Sequence, residues 1–195
     1  MPKLGMEPIR RAALVNATIS EIGASGTLDV TVAQIAARAG MSSALAHHYF
    51  GGKEQIFLAA MRHVLTVYGA EVRGALAMAR GPRARLEAVV RAGFSTSNFR
   101  PETVAAWLNF YVLARTNAHA ARLLRVYQRR LRSNLVHDLA PLSGSAASDI
   151  ADRIAALIDG LYLRQGIDAG NDAGRTATAH VLAVLSNELD AKGTP

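Results

Sequence analysis

Residues 31–50 have the sequence TVAQIAARAGMSSALAHHYF, and this stretch predicts two short helices joined by a tight turn. Its first half repeats apolar residues at the i, i+3, i+4, i+7 spacing of one buried helical face, namely Val32, Ile35, Ala36 and Ala39. Thr31 and Gln34 have the spacing of a capping box, which begins that helix. Gly40 ends it, because glycine takes the left-handed C′ conformation without steric cost.

A second short helix follows the turn, with Ser42 as its N-cap. A helix below roughly 12 residues is marginal alone in water, so this one needs support from behind. Ala46, Tyr49 and Phe50 can supply its buried side, whereas Ser43, Ala44 and His47 point away. A packed helix, a glycine turn and a short helix that presents small polar residues predict a helix-turn-helix that binds DNA.

The bulk composition indicates a globular chain without thiol chemistry. Its 195 residues are 50% hydrophobic and include no cysteine, so a packed core is possible and Cys-ligated zinc is excluded. The first residues, MPKLGMEPIRR, lack the apolar segment of a signal peptide. No run approaches the roughly 18 apolar residues of a membrane span. We therefore expect a cytoplasmic protein with no membrane partner.

The net charge of +7 favours an anionic partner such as nucleic acid. Residues 1–53 contribute only +2, from five basic and three acidic side chains. The densest basic cluster lies elsewhere and comprises Arg122, Arg125, Arg129, Arg130 and Arg132. Because four of them, Arg122, Arg125, Arg129 and Arg132, follow helical spacing, we expect a solvated helix face, with salt bridges to a neighbouring helix or a second DNA-contacting surface as the alternatives.

The rest of the chain predicts helices only, since no stretch shows the period-2 alternation of a strand. Glycine and proline pairs and helix caps divide it into segments at about 9–24, 53–79, 82–97, 101–116, 117–140, 149–168 and 172–191. Together with the two short helices, these segments predict an all-α protein of about nine helices.

The segment around the predicted turn resembles a known family. The pattern T-V-x-x-I-A-x-x-A-G-x-S, followed by H-Y-F and by K-E after two glycines, resembles the TetR family of dimeric bacterial repressors. Within that family, the segments KLGMEPIRR, ETVAAWLNFY, RRLRSNLV and AALIDGLYLR are similar to the choline-responsive repressors of glycine betaine synthesis. The resemblance implies a DNA-binding domain, here about residues 1–53, and a ligand-binding and dimerisation domain, about residues 54–195.

The resemblance also implies a set of DNA contacts. Its base-edge positions correspond here to Ser43, Ala44, Leu45 and His47, with His48 as a further candidate. Its phosphate positions correspond to Thr31, Ser42, Tyr49 and Lys53. The chemistry agrees, because hydroxyls, helix N-termini and lysine bind phosphate oxygens, while imidazole and small apolar groups can contact base edges.

His47 and His48 could instead be metal ligands. Adjacent helical residues do not face each other, and no carboxylate or third histidine stands at ligand spacing nearby, so we expect neither a metal nor a cofactor.

Two groups of residues are candidates for a cation-binding cage. Trp107, Phe110 and Tyr111 share one helix face, although periodicity alone favours plain core packing for that spacing. Asp159 is a carboxylate in an otherwise apolar helix, with Tyr162 one turn later. A buried carboxylate needs a positive partner, which could be Arg153, another arginine, or a quaternary ammonium ligand held by aromatic faces. With the family resemblance, we favour choline.

These expectations combine into a cytoplasmic homodimeric repressor of choline uptake and glycine betaine synthesis genes. The family implies dimerisation through the helices at about 149–168 and 172–191 and a pseudo-palindromic operator from which choline releases the protein. One alternative is a regulator of another cationic or lipophilic ligand, such as an efflux-pump repressor. Others are an all-α enzyme acting on a choline-like substrate, and a protein that coats nucleic acid.

Overall fold

The computed structural model describes residues 5–168 and 172–191, so Lys3 and Leu4 of the KLGMEPIRR segment lie outside the described residues. The described part is all-α, as predicted, and contains nine α-helices: α1 (Met6–Ser25), α2 (Val32–Arg38), α3 (Ser43–Phe50), α4 (Lys53–Met78), α5 (Pro82–Gly93), α6 (Pro101–Leu113), α7 (Ala118–Ser143), α8 (Ala147–Asp168) and α9 (Ala173–Asp190). A 3-10 turn, Gly144–Ala146, joins α7 to α8.

Helix starts agree with the capping signals in the sequence. Pro82 and Pro101 are the first residues of α5 and α6, where a proline ring clashes with no preceding turn. Asn117 caps α7, since its Oδ1 accepts from the Ala120 backbone N–H at 2.9 Å. The predicted end of α5 at about Ser97 is wrong. The helix stops at Gly93, because Phe94 leaves helical geometry and the polar side chains that follow bind another helix.

The described residues form two compact units. One contains α1–α3, the first half of α4 as far as Leu65, and Pro101–Ala121, which includes α6. Its buried side chains include Leu14, Ile22, Ile35 and Ile56. Helix α6 packs directly on α1: Asn109 Nδ2 donates to the Gly26 carbonyl at 3.1 Å, and Gly23 faces Glu102. The helix-turn-helix thus shares a core with α6.

The second unit contains Thr66–Arg100 and the described residues from Arg122 onward. Its core is formed by α5, α7, α8 and α9, with fully buried side chains that include Leu86, Leu135, Ile150, Ile154 and Val181. Arg122, Arg125, Arg129 and Arg132 are exposed, as expected for a solvated helix face, and Arg132 also forms the alternative interaction, a salt bridge to a neighbouring helix. Arg132 donates to Asp152 of α8 at 2.6 Å, because the two side chains face each other across adjacent helices.

Candidate DNA-binding and ligand-binding sites

Side-chain caps define both helices of the helix-turn-helix. Thr31 Oγ1 accepts from the Gln34 backbone N–H at 3.2 Å, and Gln34 Oε1 accepts from the Thr31 backbone N–H at 2.7 Å. Ser42 Oγ accepts from the Leu45 backbone N–H at 3.2 Å. Gly40 has a φ of 67°, which a residue with a side chain rarely adopts. The predicted capping box, turn and second cap are therefore confirmed.

Helix α3 is held by one fully buried residue, Ala46, which stands against the rest of the helix-turn-helix. The opposite side is open: Ala44, His47 and His48 are exposed, while Ser43 and Leu45 are half-buried. Thr31 and Ser42 are exposed at the two helix starts. The structure thus leaves Ala44, His47 and His48 accessible to a partner, while Ser43 and Leu45 are partly covered.

The hydrogen bond of His47 determines which ring nitrogen is available to a partner. Nδ1 lies 3.3 Å from the Gly51 carbonyl, which can only accept, so this contact is a hydrogen bond in the tautomer that carries its hydrogen on Nδ1. In the neutral ring, Nε2 is then an exposed acceptor. In the major groove the matching donors are the exocyclic amines of adenine and cytosine. His47 is therefore suited to contact a base pair that presents an amine.

Two arginines of α1 lie beside the end of α3. Arg10 Nη1 donates to Tyr49 Oη at 3.4 Å. The Arg11 guanidinium lies 5.4 Å from the centroid of the Tyr49 ring and 5.1 Å from that of Phe50. Sequence reasoning missed this cluster, because 39 residues separate Arg10 from Tyr49 and only tertiary packing brings them together. A basic pair at the start of α1 was the one available signal.

Lys53, the first residue of α4, has its ammonium 5.5 Å from the centroid of the Phe57 ring. Its neighbour Glu54 accepts from Asn117 Nδ2 at 2.6 Å, so the start of α4 is joined to the N-cap of α7. Lys53 is therefore the first residue of a helix whose start is held by a hydrogen bond to α7, and two residues separate it from the end of α3.

The aromatic candidates of α6 cluster within the first unit. The Trp107 ring centroid lies 5.7 Å from that of Phe110 and 5.9 Å from that of Tyr111. Trp107 is 6% exposed and Phe110 1% exposed, whereas Tyr111 is half-buried. Burial of this degree is also that of a core side chain, so a ligand role for these three residues stays a prediction.

The α8 candidates lie in the second unit, and phenol rings surround the carboxylate. Asp159 Oδ1 accepts from Tyr127 Oη at 3.0 Å. The Tyr127 ring packs edge-to-face on Tyr68 of α4, with centroids 5.6 Å apart. Burial, and secondarily the negative charge of Asp159, raise the pKa of Tyr68, so its phenol keeps its proton. Arg153, the alternative partner, instead donates to both carboxylate oxygens of Glu188, at 2.6 and 2.7 Å.

Tyr162 is fixed at both its hydroxyl and its ring. Its hydroxyl donates to the Asn98 carbonyl at 2.6 Å. Its ring stands perpendicular to Phe99 at a centroid distance of 5.2 Å and lies 6.4 Å from that of Phe94. The second unit therefore holds a half-buried carboxylate of α8 that is hydrogen-bonded by Tyr127 of α7 and, one turn later on α8, the Tyr162 ring packed with Phe94 and Phe99. Negative charge and aromatic faces are the groups that bind a quaternary ammonium ion, and a ligand role for these residues stays a prediction.

The described residues contain no group of three or more histidine, aspartate or glutamate side chains placed to hold a metal ion. Within the same residues, no helix has the length and apolarity to cross a membrane.

Two family models match the chain. One, for the C-terminal region of the BetI-type transcriptional repressor, matches residues 82–190. The other, for bacterial regulatory proteins of the tetR family, matches residues 14–60. Among relatives, the HTH-type transcriptional regulator BetI of Brucella anthropi is 52% identical over 183 residues, which cover 93% of either chain. BetI of Brucella suis biovar 1 is 48% identical over 196 residues, with 100% of this chain and 98% of that protein covered.

Solved structures agree on the fold. A transcriptional regulator from Pseudomonas aeruginosa PAO1 has a TM-score of 0.81 at 28% identity, covering 96% of this chain and 93% of that one. A transcriptional regulator from Saccharomonospora viridis in complex with choline has a TM-score of 0.81 at 20% identity. The match covers 90% of this chain and 95% of that one. The matched families and relatives are regulators, so the protein is not an enzyme. The chain belongs to the TetR family and, within it, to the BetI-type transcriptional repressors.

Proposed function

We propose that this repressor acts in the cytoplasm as a homodimer on genes of choline uptake and glycine betaine synthesis, and that choline releases it from its operator. The observation that carries the ligand is the Asp159 carboxylate, half-buried on α8 and hydrogen-bonded by Tyr127 beside the Tyr68 ring. A quaternary ammonium ion donates no strong hydrogen bond and is bound by negative charge and aromatic faces. A regulator of the same fold has been solved with choline.

On the DNA side, we assign α3 to the major groove, where Ser43, Ala44, Leu45, His47 and His48 meet base edges. Thr31, Ser42, Tyr49 and Lys53 would bind the phosphates. Arg10 joins the phosphate-binding group through its contact with Tyr49 Oη. Arg11 would act through Tyr49 and Phe50, because its guanidinium lies over both rings. Phosphate contacts set position and base contacts set sequence preference.

His47→Ala and Lys53→Ala are expected to change operator binding in different ways. Loss of the His47 acceptor should relax preference at one base pair that presents an amine, by about 1–3 kcal/mol. Loss of the Lys53 charge should weaken binding to every DNA sequence alike. It should also reduce the slope of log K against log salt concentration by about 1. Binding of both variants to a panel of single-base operator changes, at several salt concentrations, separates the two roles. Unaltered base preference in His47→Ala would remove that residue from the base contacts.

For the dimer, we assign α8 and α9 to the interface, with a two-fold axis that the operator would share. Val184 of α9 is 38% exposed in the single chain, which is an apolar position suited to such an interface. A two-fold dimer presents two α3 helices to half-sites about one helical turn apart, or somewhat more. A shift from a 1:99 to a 99:1 equilibrium would require about 5.5 kcal/mol of differential choline affinity.

Calorimetry and Trp107 fluorescence together test the ligand assignment. Trp107 is the only tryptophan, so its emission reports the surroundings of α6 alone. Choline should give saturable heat, and it should also change the Trp107 emission if the α6 aromatic residues contact it, as the sequence predicts. Its uncharged carbon isostere, 3,3-dimethyl-1-butanol, should bind far more weakly, because it lacks the charge that Asp159 attracts. Equal affinity for choline and the isostere would contradict a role for the carboxylate, and absence of choline binding would refute the assignment.

A further inference from the structure

Glu71 of α4 is held by three side chains from one short segment. The segment is 95–98, which follows α5. Ser95 Oγ donates to Glu71 Oε2 at 2.7 Å, and Ser97 and Asn98 donate to the same carboxylate. Such charge-assisted bonds are the stronger ones in proteins. Glu71 therefore ties the middle of α4 to the polar segment that follows α5.

The same segment holds Tyr162 of α8. Asn98 is 4% exposed, and its side chain also donates to the Ala92 carbonyl at 2.9 Å. Its own carbonyl accepts from Tyr162 Oη at 2.6 Å, while Phe99 packs perpendicular to the Tyr162 ring. A movement of Tyr162 therefore acts first on Asn98, and through the amide of Asn98 on Glu71.

A second connection runs parallel to the first. Asp159, one turn before Tyr162, accepts from Tyr127, whose ring packs on Tyr68 of α4. Tyr68 and Glu71 are neighbours at i and i+3 on α4. Asp159 and Tyr162 are the two α8 residues that the sequence predicts for the ligand. Each is connected to α4 through one intermediate residue, and the two connections reach neighbouring turns of that helix, which follows α3 in the chain.

We propose that Glu71 is a positioning residue that couples the ligand-binding residues of α8 to α4. This inference rests on the proposed function, since it concerns the response to choline. In the ligand-free protein, the bonds from Ser95, Ser97 and Asn98 fix α4 against the 95–98 segment. When choline engages Tyr162, the Asn98 carbonyl and with it this segment shift, and Glu71 transmits the shift to α4. Without the carboxylate, Tyr162 can adjust to choline while α4 stays in place.

The test compares affinities with and without choline in the full-length protein. The operator is a duplex selected from a random pool by the wild-type chain. The coupling factor is the operator Kd at saturating choline divided by the Kd without it. Glu71→Gln keeps the shape of the side chain but removes its charge and one acceptor. We expect its coupling factor to fall by about tenfold or more, with the operator Kd without choline, and the choline Kd without DNA, each within about threefold of wild type.

Glu87→Gln is the matched control, because Glu87 of α5 is a surface carboxylate paired only with Arg83 and Arg91 among the described residues. It should leave the coupling factor unchanged. Ser97→Ala, which removes a single donor to Glu71, is a milder second variant and should lower the coupling factor in the same direction. If Glu71→Gln unfolds or loses operator affinity without choline, the coupling factor of Ser97→Ala tests the inference in its place.

The outcomes separate this inference from the proposed function. If choline leaves the operator affinity of the wild-type protein unchanged, the choline response is refuted, and the inference with it. A wild-type response that Glu71→Gln and Ser97→Ala both retain would overturn the coupling role alone. Tyr162→Phe keeps the ring and removes the hydroxyl bonded to Asn98. Combined with Glu71→Gln, it should lower the coupling factor little further than Glu71→Gln does alone. Full additivity of the two losses would also overturn the inference.

Discussion

Asp159→Asn is expected to raise the choline concentration needed for operator release by about a hundredfold. A quaternary ammonium about 4–5 Å from a half-buried carboxylate gains about 3.3–4.2 kcal/mol at an effective dielectric constant of 20. Because desolvation offsets part of this gain, about 2.8 kcal/mol, which corresponds to a hundredfold change, is expected to be lost. Asparagine keeps the size of the side chain and an oxygen that can accept from Tyr127 Oη. The change therefore removes charge while it preserves the surrounding rings.

Asp152→Asn is the matched control for this experiment. Asp152 lies on the same helix, but it is exposed and pairs with Arg132. The substitution removes the same charge from α8 at a position outside the proposed site, so the response to choline should remain that of wild type. Both variants are titrated with choline in an operator-binding assay. Equal choline responses in the two variants would show that Asp159 does not hold the cation.

Gly23→Ala is expected to lower the free energy of unfolding by about 1–2 kcal/mol. A Cβ atom at this position would lie 2.7 Å from the Glu102 Cα, which is closer than real Cβ contacts allow. Because the obstacle is backbone, α6 must move away from α1. Overpacking of this kind costs about 1–3 kcal/mol, whereas the gain in helix propensity is at most about 1 kcal/mol. The clash therefore outweighs the propensity.

Gly74→Ala in α4 is expected to raise the free energy of unfolding. No atom lies within 4 Å of a Cβ built there, so the propensity gain of up to about 1 kcal/mol should appear undiminished. Urea unfolding of both variants, at one protomer concentration because a dimer's stability depends on it, measures the difference. Stabilisation by Gly23→Ala would mean that α1 and α6 do not approach as closely as described.

Local signals predicted most helix boundaries, because capping is chemistry between near neighbours in sequence. The Thr31–Gln34 box, the Ser42 cap and the Asn117 cap each need residues within three positions. The end of α5 could not be predicted in this way. Apolar and polar residues after Gly93 allow another helical turn, and Ser95, Ser97 and Asn98 are drawn out of it by Glu71, more than twenty residues earlier.

The candidate sites show the same limit. Helical spacing places His47 on an accessible face, but only the structure shows that its Nδ1 is committed to the Gly51 carbonyl. A carboxylate in an apolar helix identified Asp159, and its need for a partner followed from burial. That the partner is Tyr127, with Tyr68 behind it, depends on the packing of α4, α7 and α8, which no periodicity encodes.

Operator binding measures whether choline releases this repressor from DNA. Fluorescence anisotropy of a labelled duplex, selected by the protein and held at one salt concentration, follows release as choline is added. We predict that choline lowers operator affinity in a saturable manner and that 3,3-dimethyl-1-butanol does not at the same concentrations. An operator affinity that stays constant through saturating choline would contradict the account.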